Sequence, residues 1–262
     1  MTRRHLDFPC DGDRLAGTLD EAAGASGLLI VSGGNEIRSG AFAGQAALAG
    51  RIAGAGFPVF RFDRRGVGDS EGENRGFRYS GEDIRAAIAA FRQECSAVKR
   101  LVAFGNCDAA SALILMPGDG IDALIAANPW TFDDVRSEDT PGALPPSAIR
   151  SRYLAKLQNP AELMRFVRGG VDLRKLAQGL RGAIIPAGEV SELARLLAQG
   201  LQNQNQTCTF LLAGNDRTAQ AFAAAVDTRS LDVRHCPGAG HAFVEPHARD
   251  WLDQQILDRL RA

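Results

Sequence analysis

No segment of the sequence approaches the roughly 20 consecutive apolar residues that a membrane-spanning helix needs. The opening stretch "MTRRHLDFPCDGDRL" carries the pair Arg3 and Arg4 with no apolar run behind it, so neither a signal peptide nor an anchor is expected. The five cysteines (Cys10, Cys95, Cys107, Cys208, Cys236) are odd in number and scattered, and no two form a CxxC pair. That argues against a disulfide framework and a zinc site, and for a reduced, cytoplasmic setting. Charge of one sign is missing too: Lys+Arg of 30 against Asp+Glu of 31 leaves a formal −1, with no overall field to recruit nucleic acid or an anionic membrane. Lysine is scarce and arginine supplies almost all the positive charge, which fits either phosphate recognition or the coding bias of a GC-rich genome. "GGNEIRSG" lacks the G-K-[ST] ending of a phosphate loop, "GVGDSE" lacks the third glycine of a dinucleotide fingerprint, and there is no HExxH. No cofactor and no metal are expected, and a small molecule is the remaining class of partner.

What is present is a chain of 262 residues, 45% hydrophobic and 23% charged, the balance of a soluble globular protein of one large α/β domain. It has no internal repeat. Short apolar runs recur, each followed by a glycine-rich turn and a helical pattern: 27–34, 57–66, 100–107, 122–129, 208–216 and 231–238 read as strands. Segments 41–56, 80–95, 109–116 and 219–226 read as helices. Unbroken apolar runs suit strands covered on both faces, so the pattern predicts a mostly parallel, doubly wound sheet of about eight strands. The first strand or two, around Leu6–Phe8 and Leu15–Leu19, are expected to be antiparallel edge additions. Ser80 and Asp83 stand at capping-box spacing before the second helix. From Trp130 to about Gly182 the alternation breaks into an arginine-rich helical stretch, which reads either as a lid inserted over the sheet's carboxyl edge or as two ordinary packing helices.

The stretch "GNCDA" (105–109) carries the chemistry. A nucleophile on a sharp strand-to-helix corner needs small residues two before and two after it, and Gly105 and Ala109 meet that demand around Cys107. Cysteine is also among the most buried residue types, so a core thiol is the competing reading of Cys107. Asp216 follows a strand end in "LLAGND" and His241 follows the last strand in "PGAGHAF", giving the chain order nucleophile, acid, base. Asp216 could instead cap the following helix. Of the four histidines, His241 alone combines a loop position with that order, while His235 inside "DVRHCP" reads as a packed neutral ring. For an oxyanion, the backbone N–H of Asp108 would be one donor, and the N–H of Gly34 or Asn35, in the loop after "LLIV", the other. Arg38 in that loop reads as a contact for a substrate anion or as a solvated surface side chain.

With "FRFDRRGVGDSEG" (60–72), where Asp63, Arg65 and Ser70 match a D-x-R-G-x-G-x-S turn read as structural, these motifs make the sequence resemble the α/β-hydrolases over most of its length. "SGGNEIRSG", "FDRRGVGDSEG", "GNCDAAS" and "AGNDRTAQAF" are similar, more narrowly, to the hydrolases associated with the exosortase A system, encoded beside exopolysaccharide and protein-sorting genes. The resemblance implies an α/β-hydrolase fold with a small helical cap at 130–182 and a Cys107–His241–Asp216 triad. A cysteine elbow also resembles those of dienelactone hydrolases and polyhydroxyalkanoate synthases, which normally have glycine where this chain has Ala109. Three functions stay open at this point. They are hydrolysis of a small acyl ester, thioester or lactone through an acyl-enzyme, acyl transfer to a sugar or alcohol, and a non-catalytic binding protein on a hydrolase fold.

Overall fold

The computed structural model describes residues 2–116, 120–133, 190–204 and 206–262. Most of the expected cap at 130–182 therefore lies outside the described residues. In chain order the strands are β1 (Arg3–Cys10), β2 (Asp13–Asp20), β3 (Ser26–Val31), β4 (Val59–Phe62), β5 (Arg100–Asn106), β6 (Ala123–Ala127), β7 (Thr207–Ala213) and β8 (Asp232–Cys236). The helices are α1 (Gly44–Gly54), α2 (Gly81–Glu94), α3 (Asp108–Leu115), α4 (Glu192–Gln202), α5 (Arg217–Ala225) and α6 (Pro246–Arg261).

The strands form one eight-stranded sheet in the order β1-β2-β4-β3-β5-β6-β7-β8. β3 pairs in parallel with β4 and β5, and the parallel ladder continues through β6, β7 and β8. β2 is antiparallel to both its neighbours, β1 and β4, so it is the one reversed strand. Alternation along the strands explains the unbroken apolar runs. Leu28 and Ile30 of β3, Val102 and Phe104 of β5 and Leu211 of β7 pack with α1 and α6 on one face. Leu29, Val31, Leu101, Ala103, Phe210 and Leu212 pack with α2, α3, α4 and α5 on the other. Ring contacts fasten both layers: Phe60 stacks on Phe91 with centroids 5.6 Å apart, Phe210 on Phe222 at 5.4 Å, and Phe243 on Trp251 at 6.0 Å. No described helix is long and apolar enough to cross a membrane.

Three local expectations are corrected. Ser80 stands at the N-cap of α2, but its hydroxyl donates to the carbonyl of Phe77 at 2.7 Å and caps no helical N–H. Asp83 is drawn away from the cap by Arg65, whose Nε donates to it at 2.6 Å and whose backbone N–H donates at 3.0 Å. His235 is exposed, because β8 is an edge strand. Helix α4, not among the segments expected to be helical, is capped by Ser191, whose side chain accepts from the N–H of Ala194 at 3.0 Å.

Parallel strands all end at the same edge. The loop after β3, the corner after β5, the turn after β7 and the loop after β8 therefore converge at the carboxyl edge, where open α/β sheets hold their ligands. That convergence brings four distant stretches of sequence into one place.

Candidate active site

Cys107 occupies the corner between β5 and α3 with φ 62° and ψ −126°, a left-handed backbone conformation that side chains other than glycine seldom adopt and that costs of order 1–3 kcal/mol. The surroundings hold it there: its N–H donates to the carbonyl of Ala127 at 3.0 Å, and its carbonyl accepts from the N–H of Trp130 at 3.2 Å. The corner is tight enough that a Cβ on Gly105 would stand 2.8 Å from the carbonyl carbon of Ala109. Ala109 itself is fully buried, so a methyl group fits where glycine is usual. The thiol is half-buried rather than sealed in the core.

His241 lies in the loop between β8 and α6. Its Nδ1 is 3.0 Å from Oδ2 of Asp216, and the imidazole is close enough to Cys107 for the thiol to contribute to its pKa. The bond to Asp216, then the nearby Cys107, outweigh the opposing effect of burial and push the His241 pKa up from 6.5 to about 10. Asp216 is buried and faces both His241 and the first turn of α5. Its Oδ2 also accepts from the N–H of Ala219 at 3.1 Å, capping α5. Of the remaining cysteines, burial pushes Cys10 and Cys208 up to about 11 and raises Cys95 and Cys236 as well. Only Cys107 stands beside an imidazole.

The oxyanion candidates are also at this edge, with one complication. The N–H of Asp108 opens α3, where helix amides are unpaired and the helix dipole favours negative charge. The N–H of Gly34, however, donates to Oδ1 of Asp108 at 2.6 Å. Gly33 permits this approach, since a Cβ there would stand 2.6 Å from the same oxygen. The Asn35 amide N–H makes no hydrogen bond among the described residues, and its side-chain oxygen accepts from Nδ2 of Asn74 at 2.8 Å. The guanidinium of Arg64, itself buried, reaches the carbonyl of Gly34 and holds this loop from below.

All three guanidinium nitrogens of Arg38 are engaged by protein partners. Its Nε donates to Thr18 at 3.0 Å, one terminal nitrogen pairs with the buried Asp63, and the other lies 2.8 Å from Asp69. The contact with a substrate anion expected there gives way to a scaffold role. Asp63 and Ser70 behave as the turn reading anticipated: Ser70 Oγ donates to the Asp63 carbonyl at 2.7 Å and accepts from the N–H of Ala16 at 2.9 Å. Two residues that the sequence did not single out also belong to the site. Nδ2 of Asn106 and Nδ2 of Asn128 both donate to the backbone carbonyl of His241, at 3.0 and 3.1 Å. Among the described residues, no group of three or more His, Cys, Asp or Glu side chains is placed to hold a metal ion.

A family model described as "Alpha/beta hydrolase family" matches residues 28–254. The chain belongs to the α/β-hydrolase family. Its solved structural relatives are distant in sequence. The α/β hydrolase GrgF from Penicillium sp. sh18 superposes with a TM-score of 0.66 at 17% identity, covering 100% of this chain and 98% of that one. The Pyrococcus furiosus esterase Pf2001 gives 0.61 at 13% identity, covering 98% and 92%. Est1E from Butyrivibrio proteoclasticus, with ferulic acid bound, gives 0.62 at 14% identity, covering 98% and 100%. At these identities the likeness concerns the fold. No curated protein matches the sequence.

Proposed function

We propose that this α/β-hydrolase cleaves small acyl esters, thioesters or lactones with Cys107 as nucleophile, His241 as general base and acid, and Asp216 as the group that orients the imidazole. The observation that carries the reading is the position of His241, whose Nδ1 lies 3.0 Å from Asp216 and whose imidazole is close enough to Cys107 for the thiol to shift its pKa. The sulfur attacks as thiolate, a form favoured by a neighbouring imidazolium. Attack forms an S–C bond and puts negative charge on the carbonyl oxygen, which the N–H of Asp108 and that of Gly34 or Asn35 would stabilise. Collapse breaks the bond to the leaving group, which takes the proton from His241. Water then attacks the thioester, His241 accepts its proton, the carboxylic acid departs and the thiolate is restored. Because the acyl-enzyme is itself a thioester, activated acyl groups are favoured over simple amides.

The esterases among the structural relatives and the bound ferulic acid of one of them are consistent with an acyl substrate. The likeness to hydrolases associated with the exosortase A system points to a substrate drawn from exopolysaccharide metabolism, and five unpaired cysteines suit the reducing cytoplasm. The test is turnover of a panel of small acyl thioesters and nitrophenyl esters by the native enzyme and by Cys107→Ala. Loss of turnover in the variant, with acyl-enzyme trapped on the native chain, is expected. Undiminished activity without the sulfur would eliminate this mechanism. Products analysed with and without a glycan acceptor separate hydrolysis from acyl transfer.

A further inference from the structure

His241 sits in a loop, outside the regular elements that fix Cys107 and Asp216, yet its reach decides whether one imidazole can serve both. The carbonyl of His241 is held by two side-chain amides, Asn106 Nδ2 at 3.0 Å and Asn128 Nδ2 at 3.1 Å. Asn128 uses its other amide hydrogen on Oδ1 of Asn106 at 3.0 Å, and its own Oδ1 accepts from the N–H of Ala213 at 2.9 Å. Its backbone N–H donates to Leu211 at 3.0 Å. Asn106 is the residue before the thiol, and Ala213 ends the strand that delivers Asp216. One fully buried amide thus touches the nucleophile's strand, the acid's strand and the base's loop.

We infer that Asn106 and Asn128 are positioning residues that set the distance between the His241 imidazole and the Cys107 sulfur; the inference rests on Cys107 being the nucleophile. Asparagine is suited to the place on two counts. It carries two donors and an acceptor on one small plane, and Asn128 uses all three. It also tolerates left-handed backbone, and Asn128 has φ 42°. A carbonyl fixed by two donors pins the Cα of His241, and a misplacement of about 1 Å at a reacting group can cost about 100-fold in rate.

Ionised aspartate has the same outline but donates nothing, so Asn128→Asp, which still accepts from Ala213, and Asn106→Asp each remove one of the two donors holding His241 with little change of shape. Asn106→Ala at the half-buried position carries the test if the buried charge of Asn128→Asp prevents folding. Three readouts apply: kcat and KM on a small thioester, the thermal midpoint, and the rate of iodoacetamide labelling at Cys107 at neutral pH. The expected result is a fall in kcat of about 10- to 100-fold with KM within about twofold. At neutral pH iodoacetamide should label Cys107 more slowly in the variants than in the native protein, because the displaced imidazole no longer assists the thiol. Folded variants that keep the native labelling rate and kcat overturn the inference, as do variants whose activity falls only in step with their thermal midpoint. If native Cys107 itself labels like an unassisted thiol, the nucleophile assignment fails first and the asparagines lose their role with it.

Discussion

The carboxylate of Asp108 accepts a 2.6 Å hydrogen bond from the backbone N–H of Gly34. Two candidate oxyanion donors, the amides of residues 34 and 108, are therefore separated by a negative charge belonging to one of those residues. A substrate carbonyl must displace that carboxylate before both donors can reach it. Asp108→Ala removes the competitor and keeps the backbone N–H. We expect kcat/KM for a neutral thioester to rise roughly fivefold, the equivalent of a net hydrogen bond of about 1 kcal/mol. Steady-state kinetics check this, and a lower kcat/KM would mean that the carboxylate supports the loop instead of occupying the site.

The raised pKa of His241 makes a signed prediction. With a folded value of about 10 against an ordinary 6.5, the bound proton contributes stability that is fully present below pH 6.5 and is lost as pH rises through about 10. Urea unfolding of the native protein and of His241→Gln should therefore differ most at neutral and lower pH and converge near pH 10. The alkaline limb of kcat/KM, which reports the free enzyme, belongs near the same value.

Five cysteines compete for an alkylating agent, and their surroundings rank them. Cys10 and Cys208, raised by burial to about 11, have almost no thiolate at neutral pH, and Cys95 and Cys236 are shifted the same way. Limited iodoacetamide followed by peptide mass mapping should find Cys107 modified first. Modification of any other cysteine ahead of it would contradict the ranking.

At Gly105 the obstacle to a side chain is main chain, with Ala109 C at 2.8 Å and Ala109 O and Ala110 N at 2.9 Å, so neither partner can swing aside. Gly105→Ala should destabilise the fold by about 1–3 kcal/mol and displace the thiol. Urea midpoints and labelling rates measure both effects together.

Asp63 is fully buried and accepts from the N–H groups of Arg38 at 2.5 Å and Asp69 at 3.1 Å while pairing with the Arg38 guanidinium. Asp63→Ala strands those donors. Because Arg38 keeps Asp69 as a partner and is partly exposed, the expected loss is about 2–3 kcal/mol, below that of a fully buried broken pair. Chemical denaturation at neutral pH provides the measurement.

The strands were legible because burial on both faces leaves a continuous apolar signal, and the gathering of the candidate residues at one edge was legible because each follows a strand end. Pairwise competition over long range was not. Asp83 has capping spacing in the sequence, yet Arg65, 18 residues earlier, claims it. His235 lies inside a strand pattern, yet β8 has a neighbour on one side only and the ring is exposed. Arg38 gave no sign of Asp63, and Asn106 and Asn128 none of a carbonyl 135 and 113 residues further on. A side-chain amide has no periodicity to betray it. Its role exists only once the chain has brought the acceptor back.

One oxygen of Asp216 faces both the imidazole of His241 and the first turn of α5. Helix and base therefore draw on the same lone pairs, so that a proton gained or lost at the imidazole changes how firmly the amide of Ala219 is held. The coupling runs both ways, and a replacement chosen to strengthen the cap alone weakens the orientation of the ring.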